Sequence, residues 1–343
     1  MDIHSFFPPS VIDRPELRSV LLACLRQLEA AGVDSPRLSA EILLAESLGS
    51  DRNDLLKELL LYPERMLTKQ EFTRFASLAL RRAAGEPAAL ILGRKEFYGR
   101  EFAVTRDTLI PRPETELLID LALEHAAARG KGDGTPAGHT PLCFADMGAG
   151  SGCIAVTLAL ELPAWRGVAL DISPAALAVA RKNAARLGAG ALHFVHADFS
   201  APPLGAATLD MLVSNPPYVS AAEYAEVSRE VRDFEPKSAL VPGRRSGCGP
   251  KTSPNRDPGC GSRAPSNRAP APEPETAATG LEDAACLIAL AGTLLSPGGL
   301  LLMEIGCTQT AALLPRFDRA VWADAGVRRD LAGRDRVLEA RKA

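Results

Sequence analysis

The sequence lacks the features that mark membrane-spanning, secreted and nucleic-acid-binding proteins. A long apolar stretch at residues 287–303 is interrupted by Pro-Gly, whereas a membrane helix needs about 20 continuous apolar residues. The first residues contain no basic stretch followed by an apolar core, so we expect no signal peptide and a cytoplasmic protein. The 39 basic and 42 acidic residues give a formal net charge of -3, which disfavours a dedicated nucleic-acid binder.

Cysteine and histidine patterns typical of metal sites are also missing. The 7 cysteines include no Cys-x-x-Cys pair, so we expect reduced thiols rather than zinc ligands or a disulfide framework. His193 and His196 lie three positions apart on a predicted strand, so their side chains face opposite sides of the sheet. We therefore expect no metal.

The 343 residues are enough for two domains, and the first part of the chain is predicted to be helical. Leucines recur at helical spacing, and glycines or Ser-Pro pairs mark the ends. The predicted helical segments are residues 14–32, 35–49 and 68–85. We predict a helical bundle over residues 1–88 and a β-hairpin linker over 89–112, because aromatic and β-type residues flank "YGRE".

From residue 113 a helix begins, and from Leu142 strands and helices alternate. Strands are predicted at residues 142–147, 167–172, 192–199, 209–215 and 298–306. Helices are predicted between them at residues 151–162, 173–188 and 281–295, and the remainder is expected to add a helix and edge strands. Alternation of this kind is typical of a mostly parallel α/β sheet covered on both faces.

Residues 244–279 interrupt the alternating pattern. The segment is rich in Pro, Gly and Ser and has almost no large apolar residue, so it buries too little surface to offset its ordering entropy. We interpret it as a disordered insertion in a domain spanning residues 113–343. We predict that deleting it leaves activity intact, and a large loss in the deletion variant would refute this.

A glycine-rich strand-to-helix turn is the first candidate site. The stretch "FADMGAGSGCIAV" places Gly148, Gly150 and Gly152 after a strand, where ligands of open α/β sheets bind. The form D-x-G-x-G-x-G differs from the dinucleotide fingerprint, since Cys153 stands where its last glycine would be. A tight turn without a ligand is the alternative.

Acidic and aromatic residues at the next strand ends favour a ligand. Asp171 is placed to accept hydrogen bonds from ribose hydroxyls, although it would also suit a helix cap. Asp198 and Phe199 follow the third strand, where they suit an adenine ring. We therefore predict S-adenosylmethionine as cofactor. The predicted cofactor residues are Gly148, Ala149, Gly150, Ser151, Gly152, Asp171, Phe199 and Asn215.

The stretch "SNPPYVS" is the second candidate site, after the fourth strand. A planar amino group is a poor nucleophile because its lone pair is delocalised, so a site must hold its N–H bonds and aim it at the methyl donor. Asn215 and the fixed backbone carbonyl of Pro216 supply acceptors, Pro217 stiffens the loop, and the Tyr218 ring stacks on the planar group. The alternative is a rigid strand-ending turn.

At this point the chain resembles a known family, the peptide chain release factor N5-glutamine methyltransferases (HemK/PrmC family). The motifs "LIPRPETE", "DMGAGSGCIA" and "SNPPYV" occur in the family's order and spacing, at Leu109, Asp146 and Ser214. The similar segments "GEPAALILGRKEFYGREF", "VRDFEPKSAL" and "GGLLLMEIG" extend the resemblance to nearly the whole chain except the insertion.

The resemblance implies both a fold and a reaction. The fold is a Rossmann-like S-adenosylmethionine-dependent methyltransferase sheet with a small all-α N-terminal domain that helps dock the substrate protein. The substrate is the glutamine of the Gly-Gly-Gln motif in bacterial class 1 release factors, and the product is N5-methylglutamine.

The resemblance also implies roles for individual residues. Asn215 to Tyr218 form the catalytic and substrate-binding site, while Arg112 and Thr115 border the methionine end of the cofactor. Arg112 would equally suit a surface ion pair. The chain departs from the family at Met147 and Ala149, and "AALILG" lacks the usual tyrosine. We expect a monomer that contacts neither membrane nor nucleic acid.

Other functions remain open at this level. Amino-adenine methyltransferases of DNA or RNA share Asn-Pro-Pro-Tyr, because their acceptor is also a planar amino group. A ribosomal-protein glutamine methyltransferase shares both motifs but usually differs at "PRPETE". A non-catalytic binding protein of the same fold would fail to take up S-adenosylmethionine in a titration.

Overall fold

The structure is a computed structural model that describes residues 2–132, 141–243 and 278–343. The predicted insertion at 244–279 lies almost entirely outside the described residues. Its disorder and the effect of deleting it stay predictions, as do the domain boundaries.

Helices make up the N-terminal part of the chain. They are α1 (Ile3–Phe6), α2 (Pro9–Asp13), α3 (Leu17–Ala30), α4 (Pro36–Leu48), α5 (Arg52–Leu61), α6 (Lys69–Ala83) and α7 (Ala88–Leu92). The helix ends follow local chemistry: Thr68 and Glu71 form a capping box at the start of α6, and Gly49 ends α4 in the left-handed region. The helices α1, α2 and α7 were not predicted, because four or five residues are too few to show a helical period, and the ten-residue α5 was not predicted either.

The helical unit has its own apolar core. Leu17, Leu43 and Phe75 are fully buried in it, and the Phe7 and Phe72 ring centroids lie 5.2 Å apart. Aromatic contacts of this kind add to the free energy of apolar burial.

The predicted hairpin joins this unit to the rest of the chain. Strand β1 (Arg94–Phe97) pairs antiparallel with β2 (Arg100–Ala103). Tyr98 and Gly99 between them have φ values of 51° and 69°. Positive φ at both central positions is the mark of a type I′ hairpin turn, which explains glycine there.

A seven-stranded sheet forms the larger unit within the described residues. Its strands are β3 (Cys143–Met147), β4 (Arg166–Asp171), β5 (Leu192–His196), β6 (Leu209–Ser214), β7 (Leu295–Glu304), β8 (Trp322–Arg329) and β9 (Asp335–Lys342). The order is β5-β4-β3-β6-β7-β9-β8, with β3 to β7 parallel and β8 and β9 antiparallel. The predicted α/β fold class is thus confirmed.

Helices cover both faces of this sheet. The helices with residues buried against it are α8 (Glu116–Gly132), α9 (Cys153–Glu161), α10 (Pro174–Leu187), α13 (Glu282–Leu294) and α14 (Thr310–Leu313). Two short helices, α11 (Ala221–Glu226) and α12 (Arg229–Phe234), bury none of their residues. Successive residues of β3 belong to opposite layers, since Phe144 packs with α8 and α9 while Ala145 packs with α13. Three 3₁₀ turns, Pro113–Thr115, Lys237–Ala239 and Leu314–Arg316, complete the assignment.

An ion pair with a buried arginine connects the two units. The Arg82 guanidinium on α6 is 3% exposed and donates to a Glu230 carboxylate oxygen on α12 at 2.6 Å. Arg106 also lies over the Phe234 ring, 4.7 Å from its centroid. The segment that contains α12 is therefore held against the helical unit.

None of the helices in the described ranges combines the length and apolarity needed to cross a membrane.

Candidate active site

A cleft lies beyond the carboxyl ends of the central strands. The chain leaves β3 toward β4 on one side and returns to β6 on the other, so the strand order reverses at β3. The lining of the cleft includes Gly148, Ala149, Gly150, Ser151, Asp171, Phe199, Asn215 and Pro217 from the predicted site, together with Arg112 and Thr115. Gly152, Pro216 and Tyr218 do not line it.

The glycine loop leaves its backbone open to the cleft. Gly148 and Gly150 have φ values of 85° and 54°, and a Cβ atom at either position would meet nothing within 4 Å. The N–H groups of Gly148 and Ala149 donate to the Leu170 carbonyl at 2.8 and 2.9 Å, which folds the loop toward β4. The space beside the loop therefore exists because side chains are absent from it.

Gly152 serves helix packing instead. A Cβ atom at this position would lie 3.0 Å from the Ala180 Cβ and 3.2 Å from the Ala180 Cα, and φ is 80°. Gly152 thus allows the start of α9 to approach α10 closely. The ligand contact predicted for Gly152 stays a prediction.

Asp171 is placed by backbone donors at the end of β4. The Gly150 N–H donates to its Oδ2 and the Ser173 N–H donates to its Oδ1, both at 2.8 Å. Each carboxylate oxygen can accept a further hydrogen bond, and the residue is 9% exposed. Ser173, rather than Asp171, caps α10 through a hydrogen bond from the Ala176 N–H.

Asp146, which leads the glycine motif, is buried behind the loop. Its Oδ2 accepts the Ala155 N–H at 3.1 Å, and its Oδ1 is without a hydrogen-bond partner in the part of the chain that the structure describes. Burial raises the pKa of Asp146 to about 7, and the nearby Asp171 charge adds to that effect.

Apolar side chains form the wall beyond Asp171. Phe199 lines the cleft, as predicted, and Ile172 lines it while being 54% exposed. An exposed isoleucine beside a carboxylate gives a flat ring an apolar surface to pack on. Ile172 was not predicted, although it directly follows Asp171. Asp198 does not line the cleft, and its Oδ1 accepts the Ser200 N–H at 2.8 Å.

Asn215 faces the same cleft from the end of β6. Its side-chain Nδ2 donates to the Thr115 Oγ1 at 3.1 Å. Among the described residues no donor reaches the Asn215 Oδ1 or the Pro216 carbonyl. The Asn215 Oδ1 is thus available in the cleft that the glycine loop also lines, while the Pro216 carbonyl, equally without a donor, belongs to a residue outside the cleft lining.

The Tyr218 side chain contacts Glu304 and lies outside the cleft lining. Its hydroxyl donates to the Glu304 Oε1 at 3.3 Å, and burial raises its pKa. The Tyr218 carbonyl accepts a hydrogen bond from the Gln309 Nε2 at 2.9 Å. The predicted ring stacking on a substrate stays a prediction, since the structure places this ring outside the cleft lining.

Glu304 at the end of β7 was missed by the sequence analysis. Its Oε2 accepts the Thr115 hydroxyl at 2.7 Å, and the residue is 1% exposed. Burial raises the pKa of Glu304, while the Thr115 hydrogen bond and the Arg336 charge oppose that rise. The motif "GGLLLMEIG" contained this residue, but nothing in it indicates a contact with Thr115.

Arg112 borders the cleft and forms an ion pair with a buried carboxylate, and its place at the methionine end of the cofactor stays a prediction. It lines the cleft, and its guanidinium donates to a Glu235 carboxylate oxygen at 2.6 Å. The other Glu235 oxygen accepts the Ile110 N–H at 2.9 Å. This buried carboxylate therefore holds the "PRPET" segment against the chain that follows α12.

The residues of the cleft fit S-adenosylmethionine. Asp171 offers a carboxylate for ribose hydroxyls, and Ile172 and Phe199 offer apolar surface for adenine. Gly148 and Gly150 leave open space where a Cβ would otherwise lie. The amino end of α9 favours a carboxylate at the same place.

Comparisons with known proteins agree with this geometry. Residues 19–93 match the model of the PrmC N-terminal domain, and residues 144–234 match that of the methyltransferase domain. The chain is 44% identical to the release factor glutamine methyltransferase of Nitratidesulfovibrio vulgaris over 97% of this chain and 98% of that protein. It is 38% identical to that of Cereibacter sphaeroides over 94% of this chain and 96% of that protein.

A similarity to solved structures is weaker. The 16S rRNA N2 G1207 methyltransferase of T. thermophilus, in complex with AdoMet and guanosine, is 17% identical, with a TM-score of 0.41. The match covers 73% of this chain and 50% of that one.

The parallel sheet with its reversal at β3 and the cleft beside the glycine loop define an S-adenosylmethionine-dependent methyltransferase. Relatives of more than 30% identity span nearly the whole chain. The chain belongs to the release factor glutamine methyltransferase family.

Proposed function

We propose that this protein methylates the side-chain amide nitrogen of the glutamine in the Gly-Gly-Gln motif of bacterial class 1 peptide chain release factors. The product would be N5-methylglutamine. Family membership supports a release-factor glutamine as acceptor. The observation that carries the proposal is that Asn215 lines the same cleft as the glycine loop, with its Oδ1 free of donors among the described residues.

The chemistry of the acceptor decides what the site must do. An amide nitrogen is a weak nucleophile because its lone pair is delocalised into the carbonyl. Bound S-adenosylmethionine supplies an electrophilic methyl group on a sulfonium. The residues of this chain then have to hold the amide in one orientation, and alignment of this kind lowers a barrier by roughly 7–11 kcal/mol at best.

Asn215 and Pro216 hold the amide in this proposal. The Asn215 Oδ1 accepts one N–H of the substrate amide and the Pro216 carbonyl accepts the other. The φ angle of each proline is fixed by its ring, so Pro216 and Pro217 keep these acceptors in place. Water suffices to take the proton after transfer, because a protonated, methylated amide is a strong acid that needs no basic side chain.

The helical unit is proposed to dock the release factor. Leu60, Leu61 and Tyr62 at the end of α5 are 82%, 65% and 65% exposed, which is unusual for large apolar side chains in neighbouring positions. We also propose that the enzyme acts as a monomer without binding nucleic acid.

The test compares acceptors under one condition. The protein is incubated with methyl-labelled S-adenosylmethionine and, separately, with a class 1 release factor, ribosomal protein or DNA. A release factor whose Gly-Gly-Gln glutamine is replaced by alanine is the matched control. We expect label in the unaltered release factor alone, with mass spectrometry placing the methyl on the glutamine amide nitrogen.

Two results would redirect the proposal. Label in DNA alone would identify an amino-adenine methyltransferase. Label in ribosomal protein alone would identify a ribosomal-protein glutamine methyltransferase of the same fold.

A further inference from the structure

The Asn215 side chain can present either of two opposite faces to a substrate. Its amide carries an acceptor oxygen on one arm and a donor nitrogen on the other, and the two orientations have nearly the same shape. Only the orientation with Oδ1 toward the cleft offers an acceptor to a substrate N–H. In the structure the Nδ2 donates to the Thr115 Oγ1 at 3.1 Å, which leaves the oxygen for the substrate.

The Thr115 hydroxyl cannot by itself choose between these orientations. A hydroxyl accepts and donates, so it could equally donate to the Asn215 oxygen and turn the amide around. Its hydrogen is committed elsewhere, because the Thr115 Oγ1 donates to the Glu304 Oε2 at 2.7 Å. With the hydrogen directed at Glu304, only the lone pairs of Thr115 face Asn215.

Glu304 supplies the fixed end of this chain of hydrogen bonds. Burial raises the pKa of Glu304, but the Thr115 and Tyr218 hydroxyls and the Arg336 charge favour its ionised form, which accepts hydrogen bonds and donates none. Its second oxygen accepts the Tyr218 hydroxyl at 3.3 Å, so both oxygens are engaged by donors. Glu304 and Thr115 are 1% and 2% exposed, which keeps solvent from competing with these bonds.

Glu304 has no direct route to the substrate. It does not line the cleft, whereas Thr115 and Asn215 do. Any influence of Glu304 on the transferred group therefore passes through Thr115 or through Tyr218.

We propose that Glu304, acting through Thr115, fixes the Asn215 side-chain amide with its oxygen directed at the substrate. Glu304 and Thr115 are thus positioning residues for the reaction. The inference rests on the proposed function, because it assigns the acceptor role to Asn215.

A matched pair of Thr115 variants tests the relay. Thr115→Val keeps the shape of the side chain and removes the hydroxyl, while Thr115→Ser keeps the hydroxyl. We expect Thr115→Val to lower kcat on the order of 100-fold, the effect of losing one oriented hydrogen bond in an active site. Thr115→Ser should stay within about threefold of the wild type, since it restores the relay.

Glu304→Gln tests whether the Glu304 carboxylate fixes the direction of the Thr115 hydroxyl. Glutamine nearly matches the size of glutamate but offers Thr115 a donor as well as an acceptor, so both Asn215 orientations become allowed. We expect kcat to fall by roughly tenfold, while the affinity for S-adenosylmethionine, measured by titration, and the melting temperature stay unchanged. Equal kcat in wild type, Thr115→Val and Glu304→Gln would overturn the inference.

A second measurement separates this inference from the proposed function. The side-chain amide of Asn215 is labelled with ¹⁵N, assigned by its loss in Asn215→Ala, and followed by hydrogen exchange. The amide hydrogen that donates to Thr115 should exchange slowly in wild type and Thr115→Ser, and faster in Thr115→Val. If wild type methylates no release factor, the proposed function fails, and unchanged exchange in Thr115→Val overturns the inference independently.

Discussion

The two sides of the cleft are built in different ways. One side, called here the donor side, is the part proposed to bind the methyl donor S-adenosylmethionine. It consists of backbone and short-range contacts, since Gly148, Gly150 and Asp171 lie within one strand-helix-strand unit. The other side, called the acceptor side, is the part proposed to hold the glutamine that accepts the methyl group. It brings together Thr115, Asn215 and Glu304, with Thr115 separated by 100 positions from Asn215 and by 189 from Glu304. The donor side is therefore encoded in one stretch of sequence, and the acceptor side exists only once the sheet is assembled.

The largest expected effect is the loss of kcat in a variant that alters only the acceptor side. Asn215→Ala removes the acceptor oxygen, and we expect kcat to fall by roughly 10²–10³-fold, as when one hydrogen bond to a developing charge is deleted. Affinity for S-adenosylmethionine should change little, because the glycine loop and Asp171 remain. Single-turnover transfer and calorimetric titration measure the two quantities, and full activity in this variant would end the proposed mechanism.

Asp171→Ala breaks the donor side. It removes the carboxylate for the ribose and the partner of two backbone N–H groups, so donor affinity should weaken roughly 10- to 100-fold, as for hydrogen bonds to charged groups. The rate at saturating donor should stay near that of the wild type. Asp210→Asn is the matched control, because Asp210 lies at the opposite end of β6, where it accepts the Cys143 N–H. Equal donor affinity in Asp171→Ala and wild type would contradict the assignment.

A pair of glycine variants separates packing from binding within one loop. Gly152→Ala forces a Cβ against Ala180 at a positive φ, so the free energy of unfolding should fall by about 1–3 kcal/mol. Gly150→Ala meets open space and should cost only about 1 kcal/mol of backbone strain, while its methyl group enters the cleft and weakens donor binding. Urea unfolding and titration distinguish the two, and the reverse pattern would show that Gly152 faces the ligand.

The smallest effect concerns pH and Asp146. Its pKa is about 7 in the folded chain against 3.8 for an ordinary aspartate, so the folded chain holds a proton that the unfolded chain has lost. The contribution of Asp146 to stability is thus fully present below about pH 4 and is lost as pH rises through about 7. The melting temperature of the wild type should therefore fall as pH rises from about 4 to about 7, and we expect a smaller fall in Asp146→Asn. An unchanged pH profile would mean that Asp146 is ionised at neutral pH.

The donor side was largely predictable because its signals are local. Gly148, Gly150 and Asp171 line the cleft as expected, since strand ends and turn glycines are visible in a short window of sequence. The exception is Gly152, whose neighbour Ala180 lies on the next helix and is not specified by the motif. The parallel strands themselves were predicted to within a few residues at their ends.

The acceptor side was only half predictable. Asn215 and Pro217 line the cleft, but nothing local indicates that Tyr218 turns its hydroxyl to Glu304. A contact between Thr115 and a strand 189 positions away depends on the strand order, which periodicity does not determine. Glutamate at the end of an apolar run would ordinarily be interpreted as a solvated strand end.

The hairpin of β8 and β9 borders the strand that carries Glu304. Strand β9 pairs with β7 so that Glu304 stands opposite Val337 and Met303 opposite Leu338. Because side chains alternate across a sheet, a slip of β7 by one residue would place the Met303 thioether where the Glu304 carboxylate contacts Thr115. Strands β6 and β9, which pair with the two edges of β7, therefore fix the register that places Glu304 beside Thr115.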